Sequence, residues 1–219
     1  MADVPRLPRI AQDERALILG ATGSGKTTGG AWLLSRSPGQ WVILNSKYDP
    51  LLSSLGPSVE WDAGAVQEGL QKSRVVVAHP SAYDQAALDG VLFDLCESGQ
   101  PVGVMIDELL YLSKGNGQCG AGLMALLTRG RARGQPFIGC SQRPANITQY
   151  AYTESTYFGI FNLRADRDWT RVMDYTQCPE LRHPRRPHFW GWFDTHDNRL
   201  TEYGPVPHHD IARRFRVKT

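Results

Sequence analysis

Ala16-Leu17-Ile18-Leu19-Gly20-Ala21-Thr22-Gly23-Ser24-Gly25-Lys26-Thr27 joins a wholly apolar run to a glycine-rich turn that closes on a lysine and a threonine. The apolar part reads as a strand buried on both faces. The turn matches GxxxxGK[ST] in full, and residue types of this kind suit a polyphosphate. Glycines let successive backbone N–H groups turn inward around an anion, where a Cβ would obstruct the approach. Lys26 supplies a point charge to the β- and γ-phosphates, and the Thr27 hydroxyl is a ligand for Mg²⁺. A helix that starts here adds its positive end to the same anion. We assign Gly20, Thr22, Gly23, Ser24, Gly25, Lys26, Thr27 and Thr28 to nucleotide binding, with ATP and Mg²⁺ as the implied cofactors.

Outward from this turn the pattern repeats. Trp41–Leu44, Val75–Ala78, Val102–Ile106 and Phe137–Cys140 are short apolar runs. Between them lie helical patterns. In 84–98, Leu88, Val91, Leu92, Leu95 and Cys96 recur at helical spacing, with Gly99 as a stop. Leu123, Leu126 and Leu127 mark another helix, ending near Gly134. Strands alternating with helices predict an α/β fold with a parallel sheet covered on both faces. Pro187–Phe193 and Arg199–Tyr203, joined by Asp194–Asn198, predict an antiparallel C-terminal hairpin. Trp190 and Trp192 alternate onto one face of it, as core or subunit contact. The expected division is an N-terminal arm over 1–14, an ATPase domain over 15–205 with the hairpin at about 187–204, and a basic tail over 206–219.

Val102–Ile106 delivers Asp107-Glu108 at a strand's C-terminal end, where open α/β sheets bind ligands. Asp107 is placed to hold Mg²⁺ through its water shell. Glu108 is placed to polarise an attacking water as general base. A second carboxylate favours hydrolysis over simple binding.

At 219 residues the chain suits one domain, and 41% hydrophobic against 21% charged residues is a globular mixture. The net charge of +2 is unevenly spread. Residues 1–128 carry nine Lys/Arg and thirteen Asp/Glu, and residues 129–219 carry fifteen and nine. A basic half joined to an acidic half suits a polyanionic partner. No apolar run reaches membrane-span length, and Met1–Asp13 has no signal-peptide core, so neither an integral membrane segment nor secretion is expected. Cys96, Cys119, Cys140 and Cys178 lie far apart, and no His sits at ligand spacing to them. They read as reduced cytosolic thiols, which excludes a disulfide scaffold and a zinc module.

Arg129-Gly130-Arg131-Ala132-Arg133-Gly134 leads into a strand that ends in Gln142-Arg143-Pro144. With the two preceding motifs, this order over roughly 15–145 resembles the FtsK/HerA superfamily of P-loop DNA-pumping ATPases. Within it the chain resembles the genome-packaging ATPases of tailless, membrane-containing (tectivirus-like) viruses, and the resemblance implies a three-layer α/β P-loop NTPase of RecA-like topology with a mostly parallel central sheet. The resemblance implies Lys26 and Thr27 in the phosphate loop, Asp107 as metal ligand, Glu108 as catalytic base and Gln142 as γ-phosphate sensor. It aligns Arg131 best with the arginine inserted into a neighbour's site. Thr128 stands where the family often has a further arginine, and Arg129 and Arg133 are extra, so which arginine is the finger stays open. An arginine supplied in trans contributes about 10³–10⁵ in rate.

The implied protein is a motor moving double-stranded DNA into a preformed capsid. It would work as a homo-oligomeric ring, a hexamer by resemblance, in the host cytoplasm or at a packaging vertex of the virion. A capsid-vertex or membrane protein would be its docking partner. Phosphate contacts give grip without sequence choice, so basic loops after the catalytic strands are the expected DNA contacts, with Lys114 and Arg143 the candidates. The runs Arg182–His188 and Arg213–Lys218 carry much of the positive excess and read as solvated faces. Rival readings are a chromosomal or conjugative translocase, an ATP-binding assembly protein with little turnover, and a small-molecule kinase. The Gln-Arg-Pro element argues against the kinase.

Overall fold

The five apolar runs form strands β1 (Arg15–Leu19), β2 (Gln40–Leu44), β4 (Val75–His79), β5 (Val102–Ile106) and β8 (Phe137–Ser141). They belong to a computed structural model that describes residues 8–81, 84–114, 117–183 and 185–215, the Ala212 side chain excepted. Residues 1–7 of the anticipated arm, Pro184 and the tail residues 216–219 lie outside the described residues. β3 (Ser58–Glu60), β9 (Tyr157–Ile160), β10 (Trp190–Asp194) and β11 (Arg199–Tyr203) complete a nine-stranded sheet of order β11-β10-β9-β1-β8-β5-β2-β4-β3. From β9 to β3 every neighbouring pair is parallel. β10 and β11 then run back antiparallel, Trp192 opposite Gly159 and Thr201. This is the α/β P-loop architecture with its antiparallel hairpin. The first hairpin strand starts later than expected, with Pro187, His188 and Phe189 preceding β10, and the second spans Arg199–Tyr203 as expected. A small separate ribbon, β6 (Ser113–Lys114) with β7 (Gln118–Cys119), follows β5.

Two apolar layers cover the sheet, as strands buried on both faces require. On one face α1 (Lys26–Arg36) packs Ala31, Leu33 and Leu34 against Ile18, Ile43 and Ile138. α2 (Pro50–Ser53) and α8 (His208–Phe215) lie on the same side, with Leu52 and Ile211 fully buried. The segment expected to be a basic tail is therefore helical over much of its length. A hydrophobic residue at the right phase, Ile211, docks it while Arg213 and Arg214 stay exposed. On the other face lie α3 (Ala63–Lys72), α4 (Gln85–Glu97), α5 (Ala121–Arg129), α6 (Gln149–Thr153) and α7 (Asp166–Thr176). Their Leu70, Leu92, Leu126, Ala151 and Val172 share one core with Leu17, Val42 and Val104.

Local chemistry sets the helix ends. Asp49, Asp62 and Asp84 each accept a backbone N–H at the start of α2, α3 and α4, at 3.1, 2.9 and 2.9 Å. Gly99 and Gly134, both at positive φ, stop the chain after α4 and after the 3₁₀ turn that extends α5. Trp190 and Trp192 are buried, their rings 5.8 Å apart in an edge-on pair, which makes them core. Among the described residues no helix is long and apolar enough to cross a membrane.

Candidate active site

The parallel register brings the C-terminal ends of β1, β8, β5 and β2 to one edge: Leu19 pairs Ser141, Ile106 pairs Gly139, and Leu44 pairs Ile106. The glycine-rich loop leaves β1 there. Its Gly20 and Ala21 N–H groups donate to Ser141 O and Asn162 O, so the loop is anchored to the two flanking strand ends. Gly23 (φ 75°) and Gly25 (φ 103°) occupy the left-handed region, which a side chain would strain. Gly25 then opens α1, whose first residue Lys26 is 5% exposed. Burial, with the nearby Lys47 charge, holds the Lys26 ammonium below its ordinary pKa. An anion placed in the loop would relieve that cost.

The acidic pair faces this loop. Asp107 Oδ1 accepts a hydrogen bond from Thr27 Oγ1 at 2.8 Å. Burial raises the Asp107 pKa, against the lowering pull of Thr27, Lys47 and Lys26. Glu108 is buried, its Oε1 accepting from Ser141 Oγ at 3.2 Å and its Oε2 from Lys47 Nζ at 2.6 Å. Gln142, one residue past β8, accepts from Thr22 Oγ1 through Oε1 at 2.6 Å and donates its backbone N–H to Glu108 Oε1 at 3.4 Å. The sheet edge therefore gathers Lys26, Thr27, Asp107, Glu108 and Gln142 from three strand ends. Ser24 Oγ is buried without a hydrogen-bond partner in the same loop, a polar atom positioned for a ligand.

The arginines lie elsewhere. Arg129–Arg133 precede β8, and Phe137 at its start pairs with Arg15 at the start of β1, so they occupy the sheet edge opposite the phosphate loop. Arg129 and Arg133 both pair with Glu97, at 2.9 and 3.0 Å. The Arg131 side chain is 64% exposed and lies 4.0 Å from Asp13. Of the two loop residues expected near DNA, Lys114 is exposed on β6, beside a groove lined by Asp84, Asp89 and Asp94. Arg143 Nε lies 3.6 Å from the buried Asp168 of α7. The basic run before the hairpin is only partly a solvated face. The Arg185 side chain is 3% exposed and binds Leu181 O and Glu202, at 2.6 and 3.0 Å.

Sequence reasoning missed three contributors. Lys47 reaches Glu108 from the loop after β2, with a strand-end position as its sole signal. Phe161, just past β9, lies under the phosphate loop: a methyl on Gly25 or Gly29 would sit 3.2 or 3.0 Å from its ring. His188, at φ 65°, brings Nδ1 to 3.3 Å from Ser24 O. Gly25, Thr28, Phe161, His188, Pro205 and His208 border a cavity of about 200 Å³ beside the loop.

No protein-family model matches the chain. It is 31% identical to DNA packaging ATPase P9 of Enterobacteria phage PRD1 over 224 residues, covering 96% of this chain and 94% of P9. Its fold is similar to that of the genome packaging NTPase B204 of Sulfolobus turreted icosahedral virus 2 in complex with AMPPCP. There the TM-score is 0.73 at 15% identity, over 90% of this chain and all 100% of B204. The B204 DNA-packaging ATPase of Sulfolobus turreted icosahedral virus superposes with a TM-score of 0.72 at 15% identity, over 89% and 98% of the two chains. An end-to-end match to P9, on a fold shared with B204 and around a phosphate loop faced by its acidic pair, means that this chain belongs to the family of viral DNA packaging ATPases.

Proposed function

We propose that this chain hydrolyses ATP at the β1/β8/β5 edge and uses it to drive double-stranded DNA into a preformed capsid. The observation that carries the reading is the 2.8 Å contact between Thr27 Oγ1 and Asp107 Oδ1, with the buried Glu108 next in sequence. Loop hydroxyl and strand-end carboxylate are the two protein oxygens that a Mg²⁺–nucleotide needs. Thr27 and Asp107 would hold the ion, which when bound supplies charge to the phosphate oxygens. The loop N–H groups and Lys26 bind and orient the β- and γ-phosphates. Glu108 accepts the proton of the attacking water as its oxygen bonds to the γ-phosphorus. The bond from that phosphorus to the β,γ-bridging oxygen breaks, and ADP leaves with the electron pair. Gln142, bonded to the loop at Thr22 and to Glu108 through its backbone, is placed to report the γ-phosphate. The cavity between Thr28, Phe161 and His188 would receive the base.

Arg131 is the arginine we assign to a neighbour's site. It is exposed and loosely held, whereas Glu97 ties down Arg129 and Arg133. Its place at the edge opposite the phosphate loop suits a head-to-tail ring, in which each subunit presents one edge to the next. Six subunits are expected, with residues 15–205 as the motor unit, acting in the host cytoplasm or at a packaging vertex. Lys114 and Arg143 both remain the DNA candidates, each with carboxylates nearby, Asp84, Asp89 and Asp94 around Lys114 and Asp168 against Arg143.

Steady-state ATP turnover with and without duplex DNA, beside Glu108→Gln, tests the reading. Turnover should rise with DNA and fall by about 10²–10⁴ in the variant, as expected for a lost general base. A Glu108→Gln protein that turns over within tenfold of the parent overturns the catalytic assignment. Turnover indifferent to DNA, with Glu108 still required, overturns the motor.

A further inference from the structure

Lys47 has no role in the reading above, yet its Nζ lies 2.6 Å from the proposed base Glu108 and 4.0 Å from Asp107. Burial alone would lower its pKa, but the hydrogen bond and charge of Glu108, helped by Asp107, raise it, so the group is an ammonium. The loop presenting it is fixed on both sides. Asn45 accepts from Asp49 N and donates to Asp49 O and Ser53 Oγ, at 2.8, 3.0 and 3.0 Å. Tyr48, held at φ 55°, stacks on His79 with ring centroids 4.8 Å apart and donates to Pro80 O at 3.0 Å. The backbone being fixed, the mobile part is the lysine side chain, 28% exposed on its four-carbon stem.

We propose that Lys47 exchanges partners: it pairs with Glu108 while the triphosphate site is empty and moves to the γ-phosphate when ATP loads, releasing Glu108 toward the attacking water. This deepens the ATP-hydrolysis reading and rests on it. Both Glu108 oxygens are engaged, one by Lys47 and one by Ser141. A carboxylate oxygen already occupied by an ammonium is poorly placed to take a proton from water. The Thr27–Asp107 contact marks where the outer phosphate end would lie, and Lys47 is 4.0 Å from the same Asp107. An incoming nucleotide brings several negative charges to this edge, and an outer phosphate oxygen outcompetes a single carboxylate for the ammonium. Lysine suits the exchange better than arginine, because its three rotatable donors have no fixed planar fork to re-align. The diphosphate lacks the group that would draw Lys47 away.

The test compares Mg²⁺-dependent binding of ADP and of a non-hydrolysable ATP analogue to the full chain, with steady-state kinetics of ATP. In Lys47→Met the analogue should bind about ten- to a hundredfold more weakly while ADP affinity changes less than about twofold, with kcat falling more than KM rises. Lys47→Arg should restore part of the analogue affinity. Glu108→Gln, near-isosteric, provides an independent arm: a lysine freed from its carboxylate should tighten the analogue several-fold more than ADP. Equal changes for the two nucleotides, in either the Lys47 or the Glu108 variants, overturn the exchange and leave Lys47 a structural ion pair. A parent protein that binds neither nucleotide overturns the ATP reading itself, and the exchange with it.

Discussion

Replacing Phe161 by alanine should damage both the fold and the phosphate loop. The ring is buried and stacks on Trp190 with centroids 5.5 Å apart and planes 10° apart. A buried Phe→Ala change costs about 3–5 kcal/mol, and about 2–4 °C of Tm follows each kcal/mol at this chain length, so the melt should fall by roughly 6–20 °C. The second effect is local. The ring lies within van der Waals reach of Gly25 and Gly29, the residues that begin the α1 turn. A void there relaxes the loop, and a tenfold weaker affinity removes about 1.4 kcal/mol of ligand stabilisation. At saturating nucleotide the ligand-induced rise in Tm should therefore shrink by roughly 3–6 °C. Phe158→Ala is the control, because Phe158 is equally buried but belongs to the core on the other face of the sheet. Differential scanning fluorimetry with and without Mg²⁺–ATP measures both terms. If the two variants lose equal stability and keep equal ligand-induced shifts, Phe161 is ordinary core and the argument that it floors the loop is wrong.

Asp107→Asn should raise the Tm of the metal-free protein and abolish the stabilisation by Mg²⁺–ATP. Burial raises this carboxyl's pKa, so the folded state holds its proton more readily than the unfolded one. Stability is therefore lost as pH rises above the ordinary carboxylate range, and the advantage of the asparagine variant should grow from acid to neutral pH in melts. A lower Tm for Asp107→Asn at neutral pH would contradict this. Gln177, at φ 48° where α7 ends, pays for a left-handed turn that glycine adopts freely. Gln177→Gly should stabilise by about 0.5–1 kcal/mol, read as a Tm rise of roughly 1–4 °C with unchanged turnover.

The parts of the site carried by contiguous residues were legible in the sequence. A phosphate loop must follow its strand directly, and Asp107-Glu108 must end one, so spacing alone places them on the same edge once the strands are parallel. Strand β9 was not legible, although it sits between β1 and the hairpin. Tyr157-Phe158-Gly159-Ile160 is short, and glycine dilutes its apolar signal; Gly159 is there because a side chain would meet Ile18 and Trp190. Lys47 and His188 were hidden for another reason. Each reaches the site through a backbone at positive φ, at Tyr48 beside Lys47 and at His188 itself, and those conformations belong to tertiary packing. The helix within the basic tail was not legible because charge dominates its composition, while buried Ile211, with Phe215 beside it, seats it on the core.

The opposed placement of the phosphate loop and Arg131 has a consequence for mixtures. On the proposed assignment, a subunit carrying Glu108→Gln would still lend an intact arginine to its neighbour, and a subunit carrying Arg131→Ala would still offer an intact base and loop. Neither protein alone would have a complete site. In a random equimolar mixture, about one junction in four pairs the good edge of each, and chemistry returns there. Two dead proteins would thus restore hydrolysis on being combined, something no arrangement with all the groups in one subunit can do. Whether such sparsely lit rings still move DNA would report how many neighbours must fire in succession.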